Sequence, residues 1–369
     1  MAQPQPHYLE WAKQQPTSAI LSNSSVYLPS VRNAIQQQLT DPVSFEAAQQ
    51  ANPWGHPRLQ QALQAWYKSS YAPLIVAGAS SALAVVCQAL LQPGDHAVIE
   101  TPHYEPFQRC VLARGATWSA CPRDSSCEFE LGQLATSITP RTKLVLISNL
   151  HNPSSSLSTK NQLLALQQTL NQTTDRLGLT PLPIVVDEIY WHLVAQPEFG
   201  SVAELGAQWI SINSLSKVYG LSMLRCGWIM AAPPMLAQLR PAYLDLINIG
   251  SPLTEYLAAS VIEHLPSYQM QAQRHVAANR QLLQVTLQPF IEREVLCGAL
   301  PTVGCTYFPS LKLPVSQMQQ LAGLTGCVPG AFFGPAYHQH VRLGFGGDSA
   351  AVAMGLELFQ QTLCRLIQH

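Results

Sequence analysis

The sequence predicts an α/β fold: a mostly parallel sheet in a three-layer α/β/α large domain, followed by a smaller α+β domain. Short apolar runs at 96–101, 143–148 and 183–187 alternate with helical stretches. Apolar runs separated by helices are typical of parallel strands that are buried on both faces. After a long helical region, residues 294–369 carry two strands, a helix, a strand and a helix, an order typical of a separate α+β unit.

Length and composition indicate two lobes and a small-molecule ligand. At 369 residues the chain is long for one hydrophobic core. Charged residues make up 11% of it, against about 25% in typical soluble proteins, and the formal net charge is -1. So little charge excludes electrostatic binding to nucleic acid or to an anionic membrane surface. The predicted partner is a small molecule in a local pocket.

No segment predicts a membrane span or a signal peptide. No apolar run reaches the roughly 18 residues of a spanning helix, and the N-terminus lacks the basic and apolar regions of a signal peptide. Nine cysteines occur without a Cys-x-x-Cys pair, so we expect free, mostly buried thiols in a reducing cytoplasm. His338 and His340 could ligate a metal, but no third ligand lies at a suitable spacing, so no metal site is predicted.

The chain is predicted to divide into three parts. Residues 1–45 form an N-terminal arm that joins the small domain, residues 46–265 the large domain and residues 266–369 the small domain. The arm carries two short helices, 9–15 and 30–39. In the large domain we expect helices at 58–69, 80–91, 105–114, 131–138 and 159–177, and strands at 96–101, 116–121, 143–148, 183–187 and twice within 209–231. Helices then follow over 252–291, 315–323 and 348–367, and strands over 294–299, 304–311 and 339–345.

A lysine lies between the two apolar strands of the 209–231 segment. Ser214 and Lys217 follow the first strand, and Arg225 precedes the second. Only a neutral amine attacks a carbonyl, and a confined site lowers the pKa of a lysine, so Lys217 is a candidate imine-forming residue. Arg225 and Ser214 could bind a phosphate. The alternative is an ordinary surface lysine in a loop.

Three further positions lie at strand ends or helix starts of the large domain. Ala79 and Ser80 open a helix, where free backbone N–H groups and the helix dipole favour a phosphate, although Ser80 could be a simple helix cap. Tyr104 could stack on a flat ring or merely pack. Asn152 could donate a hydrogen bond to a phenolate oxygen or start a turn. Ligands of open parallel sheets bind at the carboxyl ends of the strands, so the clustering of such positions indicates a ligand site.

Two charged side chains end or interrupt apolar strands. Asp187 ends a buried run and needs a cationic partner, which could be a protonated ring nitrogen or a structural salt bridge. Tyr190, just beyond it, could share the phenolate oxygen, whereas Glu188 is expected to face solvent or a neighbouring helix. Arg342, inside a strand of the small lobe, could bind a substrate carboxylate through its two-pronged guanidinium, or pair with the other lobe.

Together these positions suggest a ligand with a phosphate, a phenolate oxygen, a ring nitrogen and an aldehyde, as in pyridoxal 5'-phosphate. Their order also resembles that of class I/II aminotransferases, which are fold-type I enzymes dependent on this cofactor. The matching motifs are Gly-Ala-Ser-Ser, Pro-His-Tyr, His-Asn-Pro-Ser, Asp-Glu-Ile-Tyr, Ser-x-Ser-Lys with an arginine eight residues beyond the lysine, and Arg-Leu-Gly-Phe. The resemblance covers roughly residues 45–350 and implies a large domain that binds the cofactor.

The resemblance implies a role for each matched residue. Lys217 would hold the cofactor as an aldimine and later move the α-proton, Asp187 would pair with the ring nitrogen, and Tyr104 would stack on the ring. Asn152 and Tyr190 would bind the phenolate oxygen. The phosphate would be held by Ala79, Ser80, Ser214 and Arg225. The substrate's α-carboxylate would be bound by Arg342 and Asn152, in a homodimer with its sites at the subunit interface.

Three departures from the family pattern stand out. Ser155 replaces the glycine of the usual Asn-Pro-(Thr/Ser)-Gly motif, and Gln50 lies where many members have a tyrosine that reaches the partner subunit's phosphate. The arm also lacks the glycine that often lies against the substrate, and the segment 21–25 is a candidate replacement.

The resemblance leaves the reaction type open. The first interpretation is transfer of the amino group of an α-amino acid to a 2-oxo acid, as part of amino acid metabolism. The alternative is a lyase or cyclase that uses the same cofactor for elimination and ring closure, similar to capreomycidine synthase. A non-catalytic regulator is disfavoured, because the arm has neither the room nor the basic face for a DNA-binding domain.

Overall fold

The computed structural model describes residues 8–16, 19–40, 52–124 and 127–368. Its centre is a seven-stranded sheet in the order β1-β7-β6-β5-β4-β2-β3. The strands are β1 (Leu74–Val76), β2 (His96–Thr101), β3 (Thr117–Pro122), β4 (Thr142–Ser148), β5 (Ile184–Asp187), β6 (Trp209–Ser214) and β7 (Gly227–Ala231). Strands β2 to β6 pair in parallel, and β7 is antiparallel to both β6 and β1. The mostly parallel sheet predicted from the sequence is confirmed.

Helices cover both faces of this sheet. The α-helices of the described chain, some of which lie in the arm and the C-terminal part, are α1 (Tyr8–Gln14), α2 (Pro29–Gln38), α3 (Pro57–Tyr67), α4 (Ala79–Leu90), α5 (Glu105–Ala113), α6 (Leu131–Ser137), α7 (Lys160–Arg176), α8 (Pro233–Leu246), α9 (Pro252–Glu263), α10 (Leu265–Glu292), α11 (Val315–Thr325) and α12 (Ser349–Ile367). Along β4, Leu144 and Leu146 lie in one apolar cluster, and Val145 and Ile147 in another. Successive side chains of a strand point to opposite faces, so the sheet has a core on each side. The layering follows from this alternation.

Three elements were not predicted from the sequence: α8, β1 and the two-residue strand Val328–Pro329. Two prolines open α8, where they are tolerated because the first turn needs no N–H donors, and a third, Pro241, lies inside the helix. These prolines hide the helical pattern. Strand β1 is only three residues long and lies at the edge of the sheet, which leaves too short a run for its period to be recognised.

The C-terminal part contains two small antiparallel sheets. Their strands are β8 (Leu296–Cys297), β9 (Thr306–Tyr307), β10 (Ser310–Leu311), β11 (Val328–Pro329) and β12 (Val341–Gly344). One sheet has the order β11-β12-β9 and the other pairs β10 with β8. The predicted strand 304–311 is split in two around Pro309, which has no N–H to donate to a ladder. The long helical region breaks at His264 into α9 and α10. The domain boundaries themselves stay predictions.

The described part of the arm runs between the sheet and the C-terminal elements. Val26 N donates to Lys217 O at 2.8 Å, and Tyr27 N donates to Gly346 O at 2.9 Å. The short helix Ile20–Ser22 packs against β12 and α12. Gln50, where the family pattern has a tyrosine, lies outside the described residues. Within the described ranges, no helix combines the length and the apolar character needed to cross a membrane.

Candidate active site

A cavity of about 260 Å³ opens at the carboxyl ends of the central strands. All ten residues that the sequence singled out line it: Ala79, Ser80, Tyr104, Asn152, Asp187, Tyr190, Ser214, Lys217, Arg225 and Arg342. The sheet register explains part of this convergence, because Asp187 lies beside Ser148 on one neighbouring strand and beside Ile212 on the other. Residues from separate positions in the chain therefore meet at one edge of the sheet.

Lys217 lies three residues beyond β6 with its amine in the cavity wall. Its Nζ donates to Ser24 Oγ at 3.3 Å, so the arm touches the amine as well as the backbone of this residue. Burial lowers the pKa of Lys217 from its usual value, and the positive charge of Arg342 lowers it further. A lysine in this setting loses its proton more readily than one on the surface.

Asp187 and Tyr190 present two buried polar groups with few protein partners. Asp187 Oδ1 accepts a hydrogen bond from Ile189 N at 3.0 Å. Burial nevertheless raises the pKa of Asp187 to about 7, because that bond and the charge of Lys217 do not offset the desolvation. The buried hydroxyl of Tyr190 makes no well-formed hydrogen bond within the described part of the chain. Both groups suit a polar ligand in the cavity.

The first turn of α4 and Arg225 form an anion cradle at one end of the cavity. The helix begins without a side-chain cap, so its first N–H groups are free to bind an anion. Arg225 is anchored beside them, donating from Nη2 to Ala77 O at 2.9 Å and from Nη1 to Ser222 O at 3.2 Å. Gly78, with φ +91°, is required here, since a Cβ would lie 2.6 Å from Arg225 Nη2.

Arg342 is fully buried in β12 and joins three parts of the chain. It donates from Nη1 to Asn152 Oδ1 at 3.2 Å, and from Nη2 to Ser22 O at 2.9 Å and to Tyr8 Oη at 3.1 Å. Its Nε has no hydrogen-bond partner among the described residues. None of the three partners carries a formal negative charge, so the guanidinium retains the capacity to bind a carboxylate.

A buried ion pair supports the loop that carries Asn152. Glu100 Oε2 accepts from Arg123 Nε at 2.9 Å and from Arg123 Nη2 at 2.7 Å. Glu100 Oε1 accepts from Ser148 N at 2.6 Å and from Ser148 Oγ at 2.5 Å. Ser148 Oγ in turn accepts from Asn152 N at 3.2 Å. The position of Asn152 therefore depends on the ion pair of Glu100 and Arg123, although neither residue lines the cavity.

Glu188 and Ser155 lie in surroundings that the sequence left open. Glu188 does not face solvent: it is fully buried and accepts from Val202 N at 3.0 Å and from Ser201 Oγ at 2.8 Å. The neighbouring-helix alternative was right, since these donors begin the short helix Val202–Leu205. Ser155 keeps the left-handed backbone, with φ 61°, that the family's glycine favours. Its Oγ accepts from Thr306 N at 3.1 Å, which ties this turn to β9.

The sequence analysis missed the contribution of the arm. Tyr8, Leu9, Ala12 and Ser24 all line the cavity. A helix was predicted at 9–15, but a local pattern shows only which side chains share a face and not what they contact. The segment 21–25 was named as a candidate neighbour of the substrate, and Ser24 is its member that reaches Lys217.

Comparison with known proteins gives consistent results. A sequence model described as "Aminotransferase class I and II" matches residues 20–298. The chain is 27% identical over 282 residues to the arginine–pyruvate transaminase of Pseudomonas aeruginosa, covering 73% of this chain and 69% of that protein. It is 25% identical to a putative aminotransferase of Bacillus subtilis, covering 80% and 76%. A PLP-dependent aminotransferase from Streptococcus suis superposes with a TM-score of 0.84 at 23% identity, covering 99% of both chains.

Proposed function

This chain belongs to the class I and II aminotransferases, and from that premise we propose how its own residues divide the work. Its cofactor is pyridoxal 5'-phosphate, and its reaction moves the amino group of an α-amino acid to a 2-oxo acid. When bound, the cofactor supplies an aldehyde for the amino group and a ring that withdraws electrons from the α-carbon. The observation that carries the residue roles is the convergence of ten predicted residues on one cavity.

The polar groups of the cavity fit this cofactor. Asp187 is a buried carboxyl that can pair with a protonated ring nitrogen, and the Tyr190 hydroxyl is free to bind the phenolate oxygen. Asn152 shares that oxygen, and Tyr104 stacks on the ring. The anion cradle accepts the phosphate through Ala79, Ser80, Ser214 and Arg225. Each chemical feature of the cofactor thus has a matching protein group.

Lys217 is the catalytic residue in this proposal. It holds the cofactor covalently before the substrate arrives and, once released, its amine takes the proton from the α-carbon. A lowered pKa serves both tasks, because only the neutral amine is a nucleophile and a base. Arg342 and Asn152, which are hydrogen-bonded to each other, hold the α-carboxylate in the same cavity as the Lys217 amine.

The reaction is tested by adding single amino acids to the cofactor-loaded protein. We expect one of them to convert the cofactor to its aminated form, with one equivalent of the 2-oxo acid and no ammonia. A second 2-oxo acid should then restore the starting spectrum. Ammonia or a cyclic product without amino-group transfer would contradict transamination. The elimination and ring-closure alternative finds no support in the relatives described above, whose names are those of aminotransferases.

A pH-dependent stability is expected for the cofactor-stripped protein. Its Asp187 has a pKa of about 7 against an ordinary value of 3.8. At pH values between these two, the folded state therefore retains a proton on this carboxyl that the unfolded state has lost. The free energy of unfolding should therefore fall as the pH rises from about 4 to 7, and then level off. Asp187→Asn should lack this component. Urea titrations of the wild type and of Asp187→Asn across this pH range measure the difference in unfolding free energy. The raised pKa values of Glu188 and Glu255 affect both proteins equally and cancel in this difference.

We propose a homodimer with its interface beside the active site. Four apolar side chains are exposed in the turn Ser222–Leu224 and around the start of α9: Met223 at 62%, Leu246 at 50%, Ile249 at 47% and Leu253 at 37%. Clusters of exposed apolar residues are uncommon on monomers. Light scattering should give the mass of two chains, and Leu246→Lys should lower it toward that of one. A wild-type mass of one chain at all concentrations would contradict the dimer.

We also propose a cytoplasmic location. All nine cysteines are free thiols, and five of them, Cys87, Cys121, Cys226, Cys305 and Cys327, are buried. Free thiols persist in a reducing compartment, whereas an oxidising compartment favours disulfides. The cysteine usage supports the proposal.

A further inference from the structure

We propose that helix α1 takes part in selecting the amino donor: Tyr8 binds its α-carboxylate together with Arg342, and the wall formed by Leu9 and Ala12 favours an uncharged side chain. The inference rests on the proposed function, because it takes the donor to be an amino acid held by Arg342 in this cavity. It adds a specificity element and a substrate class to that function.

The hydroxyl of Tyr8 is placed to bind a carboxylate. Its oxygen accepts from Arg342 Nη2 at 3.1 Å, which leaves the phenolic proton available for another acceptor. A carboxylate bound to Arg342 therefore meets a second donor at the same place. Burial alone would raise the pKa of Tyr8, but the charges of Arg342 and Lys217 outweigh it and lower the pKa below 10.0. The same charges polarise the O–H bond toward an anion.

An aromatic cluster holds Tyr8 in this position. Its ring centroid lies 5.8 Å from that of Phe332, 6.1 Å from that of Phe333 and 6.1 Å from that of Tyr104. One turn further along α1, Trp11 lies 5.2 Å from Phe332. Aromatic pairs at these separations contribute to stability beyond simple burial. The helix is therefore fastened to the C-terminal part of the chain, with Tyr8 facing the cavity.

Among the described residues of one chain, no charged group in the cavity lining is left for the donor's side chain. Four charged residues line it, and each already has a proposed role: Asp187 for the ring nitrogen, Lys217 for chemistry, Arg225 for the phosphate and Arg342 for the α-carboxylate. The residues of α1 in the lining, Tyr8, Leu9 and Ala12, carry no formal charge at neutral pH.

Against the wall formed by α1, a charged side chain of the donor would lose hydration without gaining a partner from the described residues of the same chain. Burying an unpaired charge is unfavourable, whereas burying an apolar side chain is favourable. The arginine–pyruvate transaminase is named for a basic donor, but among the described residues of this cavity the one carboxylate is Asp187. The wall therefore favours amino acids with apolar or aromatic side chains.

The role of Tyr8 is tested with Tyr8→Phe, which keeps the ring in its cluster and removes only the hydroxyl. A hydrogen bond to a charged group is made in both the ground state and the transition state, so KM for the amino donor should rise about tenfold with kcat unchanged. The affinity for the cofactor should stay at the wild-type value, which separates this effect from misfolding. Tyr27→Phe, at an exposed tyrosine of the same arm, is the matched control. An unchanged KM in Tyr8→Phe overturns the role.

The substrate class is tested by single-turnover rates with a donor panel. We expect kcat/KM for the best of leucine, methionine and phenylalanine to exceed that of the best of aspartate, glutamate, arginine and lysine by about 100-fold. Leu9→Arg should raise the rate with glutamate relative to wild type. A wild-type preference for a charged donor overturns the inference and leaves the transaminase function intact. If no amino acid aminates the cofactor, the proposed function fails first and the inference fails with it.

Discussion

Replacing Lys217 with alanine is expected to reduce kcat for amino-group transfer by a factor of about 10⁴ or more. The variant loses both the covalent attachment of the cofactor and the base that takes the α-proton. No second amine can take over, since Lys217 is the lysine that lines the described cavity. Stopped-flow absorbance with the preferred donor measures the rate directly.

Two controls make this result specific. Lys143→Ala removes an exposed lysine of β4 and should leave the rate unchanged. Denaturation by urea should show that the Lys217 variant remains folded, because a buried lysine with a lowered pKa contributes little to stability. A small primary amine added to the solution should restore part of the activity. A Lys217→Ala enzyme with wild-type turnover would contradict the proposed mechanism.

The largest effect on stability is expected from Arg123→Met. This change leaves Glu100 fully buried without the two guanidinium bonds that now neutralise it. Removing one partner of a buried ion pair costs about 3–5 kcal/mol, because the remaining charge is not compensated. Burial already raises the pKa of Glu100 above its usual value despite Arg123. The free energy of unfolding in urea, followed by tryptophan fluorescence, measures the loss.

The chain offers a matched control for this prediction. Arg58 also binds a glutamate through two bonds, but its pair with Glu263 is exposed, with side-chain accessibilities of 33% and 36%. Arg58→Met should therefore cost less than about 1 kcal/mol. The double variant Glu100→Gln with Arg123→Met should recover part of the stability, since the uncompensated charge is gone. Equal losses of unfolding free energy in Arg58→Met and Arg123→Met would show that burial does not determine how much the ion pair contributes to stability.

Much of the sheet and its site could be predicted because each signal is local. The run 184–187 is apolar until Asp187, and a carboxylate at such a point marks a strand end that needs a partner. Lys217 lies in a motif whose hydroxyls and downstream arginine are also close in sequence. For such residues, the local sequence is enough to predict a place in the site.

The missed residues depend on contacts that no local pattern contains. Tyr8 meets Arg342 across 334 residues of sequence, and Ser24 meets Lys217 across 193. The support of Asn152 by Arg123 likewise requires the sheet order, which places β2 beside β4 and β3 beside β2. The position of Glu188 was left between two alternatives because strand alternation indicates the opposite face from Asp187 but not what covers it.

The hydrogen bonds of Arg342 to Tyr8 and Ser22 determine the order in which parts of the site can form. During synthesis, every proposed cofactor-binding residue, from Ala79 to Arg225, leaves the ribosome well before residue 342. A nascent chain can therefore carry all these groups while its carboxylate-binding arginine, and the anchor of Tyr8, do not yet exist. The contact that holds α1 through Tyr8 can therefore form only after the strand that carries Arg342 has been made.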